Sequence, residues 1–308
     1  MKKISIIIAT KNRPHLLKES LSSIISNTIL PDEMIVVDQG DGSMAGDIVE
    51  ALKINYKNLL YFKDSRVGKS KALNFGIRKS RGDIIGFTDD DCIVSKEWIS
   101  SFRAEAESSP DFSAITGRTL AEQGFETKEF LNLVRSEKRK EAVARKNPWE
   151  IGCSGCNMFI KKEFLVNIDY FDEDFGSGAR FKAADDGDII YRILRAKGKV
   201  IYSPRVIVYH KAWREREDNI RLRSNYAFSL GAFAGKYLFM GDVYPCWFVF
   251  CKFLQKARRL AIGFLVFDKN RISDGYSHLK GIAIGFLKIL LYNFKNGRKN
   301  ISNYLYKK

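Results

Sequence analysis

The sequence lacks an apolar run long enough to cross a membrane. A spanning helix needs about 18 uncharged apolar residues, and basic side chains interrupt every apolar stretch of the C-terminal third before that length is reached. The first ten residues, MKKISIIIAT, have too short an apolar part for a secretion signal. We therefore expect a protein that is neither exported nor membrane-spanning. The interrupting residues are Lys236, Lys252, Arg258, Arg259, Lys280 and Lys288.

Cysteines are few, and they do not suggest pairing. The chain has five among 308 residues, an odd number that does not suit a disulfide framework. Cys153 and Cys156 form a C-x-x-C motif, but no second pair accompanies it, which argues against a structural zinc site. We interpret the cysteines as incidental thiols of a protein that resides in the reducing cytosol.

The sequence also lacks a complete P-loop. Gly68, Lys69 and Ser70 match the end of that motif, but Lys63 occupies the position of its first glycine. Lys69 and Lys71 begin a predicted helix, whose backbone N–H groups and ammonium groups can face a phosphate. The alternative is that both lysines lie on a solvated helix surface.

Acidic residues are scarce in the C-terminal third. Residues 205–308 contain 20 Lys and Arg against 6 Asp and Glu, whereas residues 1–204 contain 32 against 30, so most of the formal charge of +16 lies at the C-terminal end. Such a region suits an anionic membrane surface or a nucleic acid. Because no nucleic-acid-binding motif accompanies the charge, we expect no nucleic-acid partner.

The basic region is predicted to form amphipathic helices. Apolar and aromatic faces edged with Lys and Arg are typical of helices that lie on an anionic membrane, and Tyr244 and Trp247 suit the headgroup boundary. The alternative is a helical subdomain that packs on the rest of the chain or forms a homodimer. The predicted helices span residues 226–240, 243–254, 257–267 and 279–294.

The N-terminal two thirds alternate between β-branched runs and amphipathic segments. This alternation predicts an α/β fold with a mostly parallel sheet, right-handed crossovers and helices on both faces. The predicted strands are residues 4–9, 34–37, 59–62, 84–87, 200–202 and 206–209, and the predicted helices between the first four strands are residues 15–26, 44–53 and 69–79.

Acidic side chains cluster where the predicted strands end. Asp89, Asp90 and Asp91 follow one strand, and Thr10 and Asp38 lie at the ends of two others, so a parallel sheet would gather all five in one crevice. Adjacent carboxylates repel each other unless a cation joins them. We expect a set of hard oxygen ligands with no cysteine among them, which suits Mg2+ or Mn2+. The alternative is a solvated acidic turn or a helix cap.

A second acidic cluster precedes a later amphipathic run. It consists of Asp185, Asp186 and Asp188, and because acids are common at helix starts we assign Asp188 to capping. The glycine-rich turn at residues 152–160 lets a ligand or another backbone approach closely.

Together these motifs resemble glycosyltransferase family 2, whose members use nucleotide-sugar donors and have a GT-A-type fold. The matching pieces lie in order between residues 3 and 213 and read SIIIATKNRPHLLKESLSSI, VVDQGDGS, VGKSKALNFGI, FTDDD and ADDGDIIYRI. The resemblance implies a Rossmann-like, mostly parallel mixed sheet flanked by helices, with a helical C-terminal extension. The catalytic domain would span residues 1–215, with a nucleotide-sugar half at 1–117 and an acceptor half at 118–215, and the basic helical region would span 216–308.

The resemblance also implies roles for individual residues. Asp186 would be the general base, and Asp91 and His210 would hold Mn2+ or Mg2+ at the diphosphate. Two positions depart from the family pattern, because Asp185 stands where Glu is more frequent and Leu73 stands where many members have Arg. The residues expected on the donor side are Thr10, Arg13, Asp38, Lys69, Lys71, Asp89 and Asp90. Those expected on the acceptor side are Gly155, Asn157, Asp185 and Trp213.

The residues and the resemblance predict an inverting transfer. One general base without a second carboxylate nucleophile implies single displacement at the anomeric carbon. By resemblance, the acceptor would be a saccharide or lipid-linked saccharide in bacterial surface polysaccharide synthesis, and the enzyme would lie peripherally on the cytoplasmic face of the inner membrane. The alternatives are a polyprenyl-phosphate sugar synthase and a non-catalytic nucleotide-sugar-binding protein.

Overall fold

The computed structural model describes residues 2–123, 133–211 and 216–295, and the side chains of 216–220 are not included in the description. The chain divides into two compact units. The first unit consists of Met1–Glu173 and Asp185–Trp213, and the second of Asp174–Ala184 and Arg214–Lys308.

A mixed nine-stranded sheet forms the centre of the first unit. Its strand order is β3-β2-β1-β4-β8-β6-β9-β5, with β7 paired to β9. The half that contains β1 to β4 is parallel throughout, as is the pair β6 and β9, which confirms the predicted fold class. The strands are β1 (Ile4–Thr10), β2 (Glu33–Asp38), β3 (Leu59–Lys63), β4 (Ile84–Phe87), β5 (Cys92–Val94), β6 (Phe112–Ala121), β7 (Lys140–Ala142), β8 (Met158–Lys161) and β9 (Lys199–His210).

Helices cover the sheet because each one presents an apolar stripe. In α1, for example, Leu17, Leu21 and Ile24 are fully buried, at the spacing that places them on one side of a helix. Pro14 begins this helix. Proline has no backbone N–H, and a residue in the first turn would have no intrahelical acceptor for one. The helices of the first unit are α1 (Pro14–Ile25), α2 (Met44–Leu52), α3 (Lys69–Lys79), α4 (Trp98–Ser108), α5 (Pro148–Ile151), α6 (Lys162–Asn167) and α7 (Asp185–Arg195).

The strand pattern differs from the prediction at two places that matter for the site. The two strands predicted at 200–202 and 206–209 are one continuous strand, β9. The short strand β5 follows the acidic turn and was not predicted, because three residues show no periodicity. β5 pairs antiparallel with the end of β9, so that Cys92 lies directly opposite His210.

The second unit is helical, as predicted, and contains α8 (Arg216–Phe239), α9 (Tyr244–Leu265) and α10 (Lys269–Lys295). The helices predicted at 243–254 and 257–267 are one helix, because the intervening Gln and Lys are good helix formers. α8 and α10 approach closely at Gly231, where a Cβ would overlap the carbonyl oxygen of Ile282. Among the described residues, no helix has the length and apolarity required to cross a bilayer.

Candidate active site

The acidic turn between β4 and β5 is held by two residues from the end of β1 and the start of α1. The Thr10 hydroxyl donates a hydrogen bond to Asp90 Oδ2 at 2.7 Å. Arg13 forms ion pairs with Asp90 Oδ1 at 2.6 Å and with Asp91 Oδ2 at 3.1 Å. A single guanidinium therefore orients two neighbouring carboxylates, a geometry for which its fixed fork is suited.

Asp90 is the buried member of the acidic turn. Burial raises the pKa of its carboxyl group to about 7, although the charge of Arg13 opposes this effect. Because the side chain is fully buried against Thr10 and Arg13, it stabilises the turn. The donor contact expected of Asp90 stays a prediction.

Asp91 and His210 form a pair that fits a divalent cation. Asp91 Oδ1 lies 3.6 Å from His210 Nε2. His210 Nδ1 lies 3.0 Å from the carbonyl oxygen of Lys211, which can only accept, so this contact engages Nδ1 as a donor and leaves Nε2 as the nitrogen that could bind a cation. A carboxylate oxygen and an imidazole nitrogen are both suitable ligands for Mn2+, and the pair thus suits the predicted metal site.

Cys92 lies beside this pair, a neighbour that was not predicted from the sequence. The potential ligand atoms of Asp91, Cys92 and His210 all lie within 4.8 Å of one another. The prediction of Mg2+ or Mn2+ counted oxygen ligands alone, although Cys92 directly follows the third aspartate. The cross-strand pairing with His210 was the missing information, since it turns both side chains to one face of the sheet.

Asp38 lies at the end of β2, opposite Thr10 in the neighbouring strand. Its Oδ1 accepts a hydrogen bond from the backbone N–H of Gly40 at 2.7 Å, and its Oδ2 accepts from the Tyr61 hydroxyl at 2.8 Å and from Lys63 Nζ at 2.9 Å. Tyr61 and Lys63 were not predicted as site residues. Both belong to β3, and the parallel pairing of β2 with β3 brings them to Asp38.

Lys69 at the start of α3 lies between two acidic groups. It forms an ion pair with Asp89 and is also close to the charge of Asp185. Burial by itself would lower the pKa of Lys69, but the two carboxylates outweigh that effect and raise it. Lys71 is half-buried. Leu73, which stands where many family members have Arg, is fully buried in the core, so α3 offers no cation at that position.

Asp186 lies in the first turn of α7, where backbone N–H groups hold both of its oxygens. The N–H of Gly155 donates to Oδ2 at 3.1 Å, and the N–H of Gly187 donates to Oδ1 at 2.7 Å. Burial, followed by the neighbouring charge of Asp185, raises the pKa of Asp186 to about 7. Burial likewise raises the pKa of Asp185. A carboxylate that titrates near neutrality is suited to general base catalysis.

Trp149 packs against the same turn. A Cβ on Gly187 would overlap its indole ring, so glycine at this position allows the ring to lie against the start of α7. In the sequence, this aromatic neighbour of Asp186 is marked only by its position shortly before the glycine-rich turn at residues 152–160.

Asn157, one of the residues expected on the acceptor side, connects structural elements. Asn157 is fully buried, accepts a hydrogen bond from the Trp98 indole N–H at 2.9 Å and donates to the carbonyl oxygens of Arg118 and Val206 at 2.8 and 3.0 Å. All its polar groups therefore connect structural elements, and its expected acceptor contact stays a prediction. Trp213 lies outside the described residues.

Asp188 has a structural role in α7, while the capping expected of it stays a prediction. It is fully buried and forms an ion pair with Arg192, one turn later in α7, at 2.8 Å. The charge of the Asp188 carboxylate is thus balanced by a side chain of the same helix. Asp186 differs, because backbone N–H groups hold its oxygens.

A sheet of this topology, with acids at the ends of its parallel strands, belongs to the GT-A class of folds. The model of the family described as Glycosyl transferase family 2 matches residues 5–168, and the chain belongs to this family.

Known proteins similar to this chain share limited identity with it. Glycosyltransferase AglE from Haloferax volcanii is 24% identical over 57% of this chain and 58% of its own length. A poly-beta-1,6-N-acetyl-D-glucosamine synthase from Staphylococcus epidermidis is 21% identical over 67% of this chain and 49% of its own length. The chain therefore spans about half the length of the curated relatives it matches.

One solved structure covers nearly the whole chain. The mannosyltransferase PcManGT from Pyrobaculum calidifontis, in complex with GDP-Man and Mn2+, has a TM-score of 0.64 and 18% identity. The match covers 95% of this chain and 88% of that protein. At this level of identity, the likeness establishes the fold.

Proposed function

We propose that the chain is a metal-dependent, inverting glycosyltransferase that moves a sugar from a nucleoside-diphosphate donor to a hydroxyl acceptor. The observation that carries this proposal is the carboxyl group of Asp186, which has a pKa of about 7 and is oriented by two backbone N–H groups. Family membership and the names of the relatives, which include a polysaccharide synthase and a mannosyltransferase with a bound nucleotide sugar, support the same activity.

On the donor side, the protein must bind the nucleotide and accommodate the charge of the leaving diphosphate. A bound Mn2+ or Mg2+ would neutralise this charge as it develops. Asp91 Oδ1 and His210 Nε2 would hold the cation, and Arg13 fixes the orientation of Asp91 through its other oxygen. Asp38, at the neighbouring strand end, would contact the nucleoside, and Lys69 would exchange Asp89 for a phosphate.

On the acceptor side, Asp186 would remove the proton of the attacking hydroxyl group. The two backbone N–H groups stabilise its charged form and fix its direction, so that the carboxylate need not reorganise during proton transfer. Asp188 is engaged with Arg192 and cannot act as a second nucleophile. This division of roles supports the proposed single displacement with inversion.

The proposal is tested by measuring nucleoside diphosphate release from a panel of UDP-, GDP- and dTDP-sugars with Mn2+, Mg2+ or EDTA. We expect cation-dependent release from one donor, which would also identify the nucleotide and the sugar. Binding of a donor without release would indicate that the acceptor is missing, and the panel would then be repeated with saccharide and polyprenyl-phosphate acceptors. No donor binding by calorimetry would contradict the proposal.

The acceptor we propose is a saccharide or lipid-linked saccharide, and the polyprenyl-phosphate sugar synthase remains the second candidate. The observation that favours a lipid-linked acceptor is the apolar surface of the second unit. Trp247, Phe250 and Leu254 form one stripe on α9 and are 65%, 52% and 51% exposed. A second stripe lies on α10 and consists of Leu287, Leu291 and Phe294. Their side chains are 58%, 59% and 72% exposed.

We further propose that these stripes lie on the cytoplasmic face of an anionic membrane. Residues spaced by three and four positions share one side of a helix, and the region that carries them has the excess of Lys and Arg that attracts anionic headgroups. Exposed aromatic side chains are suited to the boundary between headgroups and acyl chains. A homodimer that covers the same stripes is the alternative.

The protein is therefore expected to float with anionic lipid vesicles and to remain at the bottom of the gradient with neutral vesicles. Replacing Trp247, Phe250 and Leu254 together by Gln should abolish flotation, because most of the apolar area of one stripe is lost. Ile54→Gln is the matched control, since Ile54 is 85% exposed in the first unit. A protein that stays at the bottom with anionic vesicles and sediments as a dimer would support the alternative.

A further inference from the structure

Cys92 and His210 form a direct cross-strand pair beside the candidate metal ligand Asp91. Antiparallel pairing places directly opposite residues on the same face of the sheet, with Cβ atoms about 4.5–5.5 Å apart. The Cys92 thiol lies 3.8 Å from Asp91 Oδ1, the same oxygen that lies 3.6 Å from His210 Nε2. One carboxylate oxygen is therefore shared between an imidazole and a thiol.

These separations are close to those of a ligand set around one cation. With metal–ligand distances of about 2.0–2.1 Å for oxygen and nitrogen and about 2.3 Å for sulfur, tetrahedral geometry separates oxygen from nitrogen by about 3.4 Å and oxygen from sulfur by about 3.6 Å. The observed values of 3.6 and 3.8 Å exceed these by a few tenths of an ångström. The third separation, between Cys92 Sγ and the His210 ring nitrogen, is at most 4.8 Å, so side-chain rotation must close up to about 1.2 Å there.

We propose that Cys92 supplies a third protein ligand, through its sulfur, to the cation at Asp91 and His210, and that this centre prefers thiophilic cations such as Zn2+, Co2+ and Cd2+ to Mg2+. The inference rests on the metal site of the proposed function. Cation binding releases the thiol proton to solvent, so that one thiolate and one carboxylate balance the two charges of the cation. A coordination position remains for a donor oxygen.

The environment of Cys92 favours this role over chemical reactivity. The residue is fully buried, and Asp91 is nearly so, whereas the side chain of His210 keeps 15% exposure and leaves one side of the centre accessible. Cys156 lies against Cys92 in the same apolar cluster, but it is outside the group of three whose ligand atoms are mutually close. Soft thiolate ligands select metals differently from carboxylates, and this is the basis of the predicted preference.

The proposal is tested by adding Co2+ to the metal-free protein and recording calorimetry and absorption together. We expect stoichiometric binding with a thiolate-to-cobalt charge-transfer band in the near ultraviolet. Cys92→Ser should lose that band and bind Zn2+ at least about 10-fold more weakly, the lower end of the loss caused by altering even the outer partners of a metal site. Its affinity for Mg2+ should change little.

Cys153→Ser and Cys156→Ser are matched controls, because they remove other buried thiols from the same region. Both should keep the charge-transfer band. Cobalt binding to the wild-type protein without this band would overturn the role of Cys92, and so would a band that persists in Cys92→Ser or disappears in Cys156→Ser. No cobalt binding at all would overturn the metal site of the proposed function as well. Absence of the band from the wild-type spectrum overturns the proposal even if the Cys92 variant does not fold.

Discussion

Asp186→Asn is expected to lower sugar transfer by at least about 100-fold, within the usual range for loss of a general base, while donor binding is retained. An amide cannot accept the proton of the acceptor hydroxyl group, but it has nearly the same size and can still accept one of the two backbone hydrogen bonds. The measurement is the rate of transfer at saturating donor, with donor affinity determined by calorimetry.

The pH profile gives this prediction a second readout. The base must be deprotonated to act, and the pKa of Asp186 is about 7, so the wild-type rate should rise with pH and reach half its maximum near pH 7. Because the charge of Asp185 contributes to the raised pKa, Asp185→Asn should move this rise to lower pH. Asp47→Asn, an exposed carboxylate in the first turn of α2, is the control. Near-normal turnover of a folded Asp186→Asn protein would exclude Asp186 as the base.

Asp91→Asn is expected to abolish cation-dependent release of nucleoside diphosphate, with a loss of about 100-fold or more. Stabilisation of a leaving diphosphate by a bound cation is worth several kcal/mol, and each 1.36 kcal/mol corresponds to about a tenfold change in rate. The neutral amide is a weaker ligand, and its pairing with Arg13 loses the attraction between opposite charges. We expect both the affinity for Mn2+ and the rate to fall, with partial recovery at high Mn2+ concentration.

The control for this variant is Asp111→Asn, because Asp111 is 69% exposed and pairs only weakly with Lys199 at the surface. Turnover that is insensitive to EDTA and unchanged in Asp91→Asn would show that the acidic turn does not hold a catalytic cation. A variant that binds Mn2+ normally but loses activity would instead assign Asp91 to the donor itself. Circular dichroism and thermal melting would establish that each variant is folded.

The local elements of the first unit were predictable from the sequence because their signals are local. Buried runs such as Ile4 to Thr10 and the apolar stripe of α1 carry the periods of a strand and a helix, and a strand followed by a helix predicts parallel pairing. The acids at the strand ends were therefore located without coordinates. The break predicted near residue 255 was wrong because Gln255 and Lys256 interrupt the apolar pattern but are good helix formers, so α9 continues through them.

The contacts within the site were much less predictable. The ion pairs of Arg13 with Asp90 and Asp91 join residues that are far apart in the chain. No local pattern in either segment predicts that they are in contact. The full burial of Asp90 and Asn157 likewise depends on elements that pack over them, which no local pattern specifies. A carboxylate inside a motif looks the same whether it faces a ligand or holds a turn.

The sequence by itself determined the α/β class, the family, the basic helical region and the positions of the acidic clusters, because periodicity, motif order and charge are properties of neighbouring residues. Only the tertiary structure decided which side chains share a centre. β5 is three residues long and carries no periodic signal, yet its register with β9 places Cys92 opposite His210 and beside Asp91. That register arises from long-range strand pairing, which no local pattern specifies.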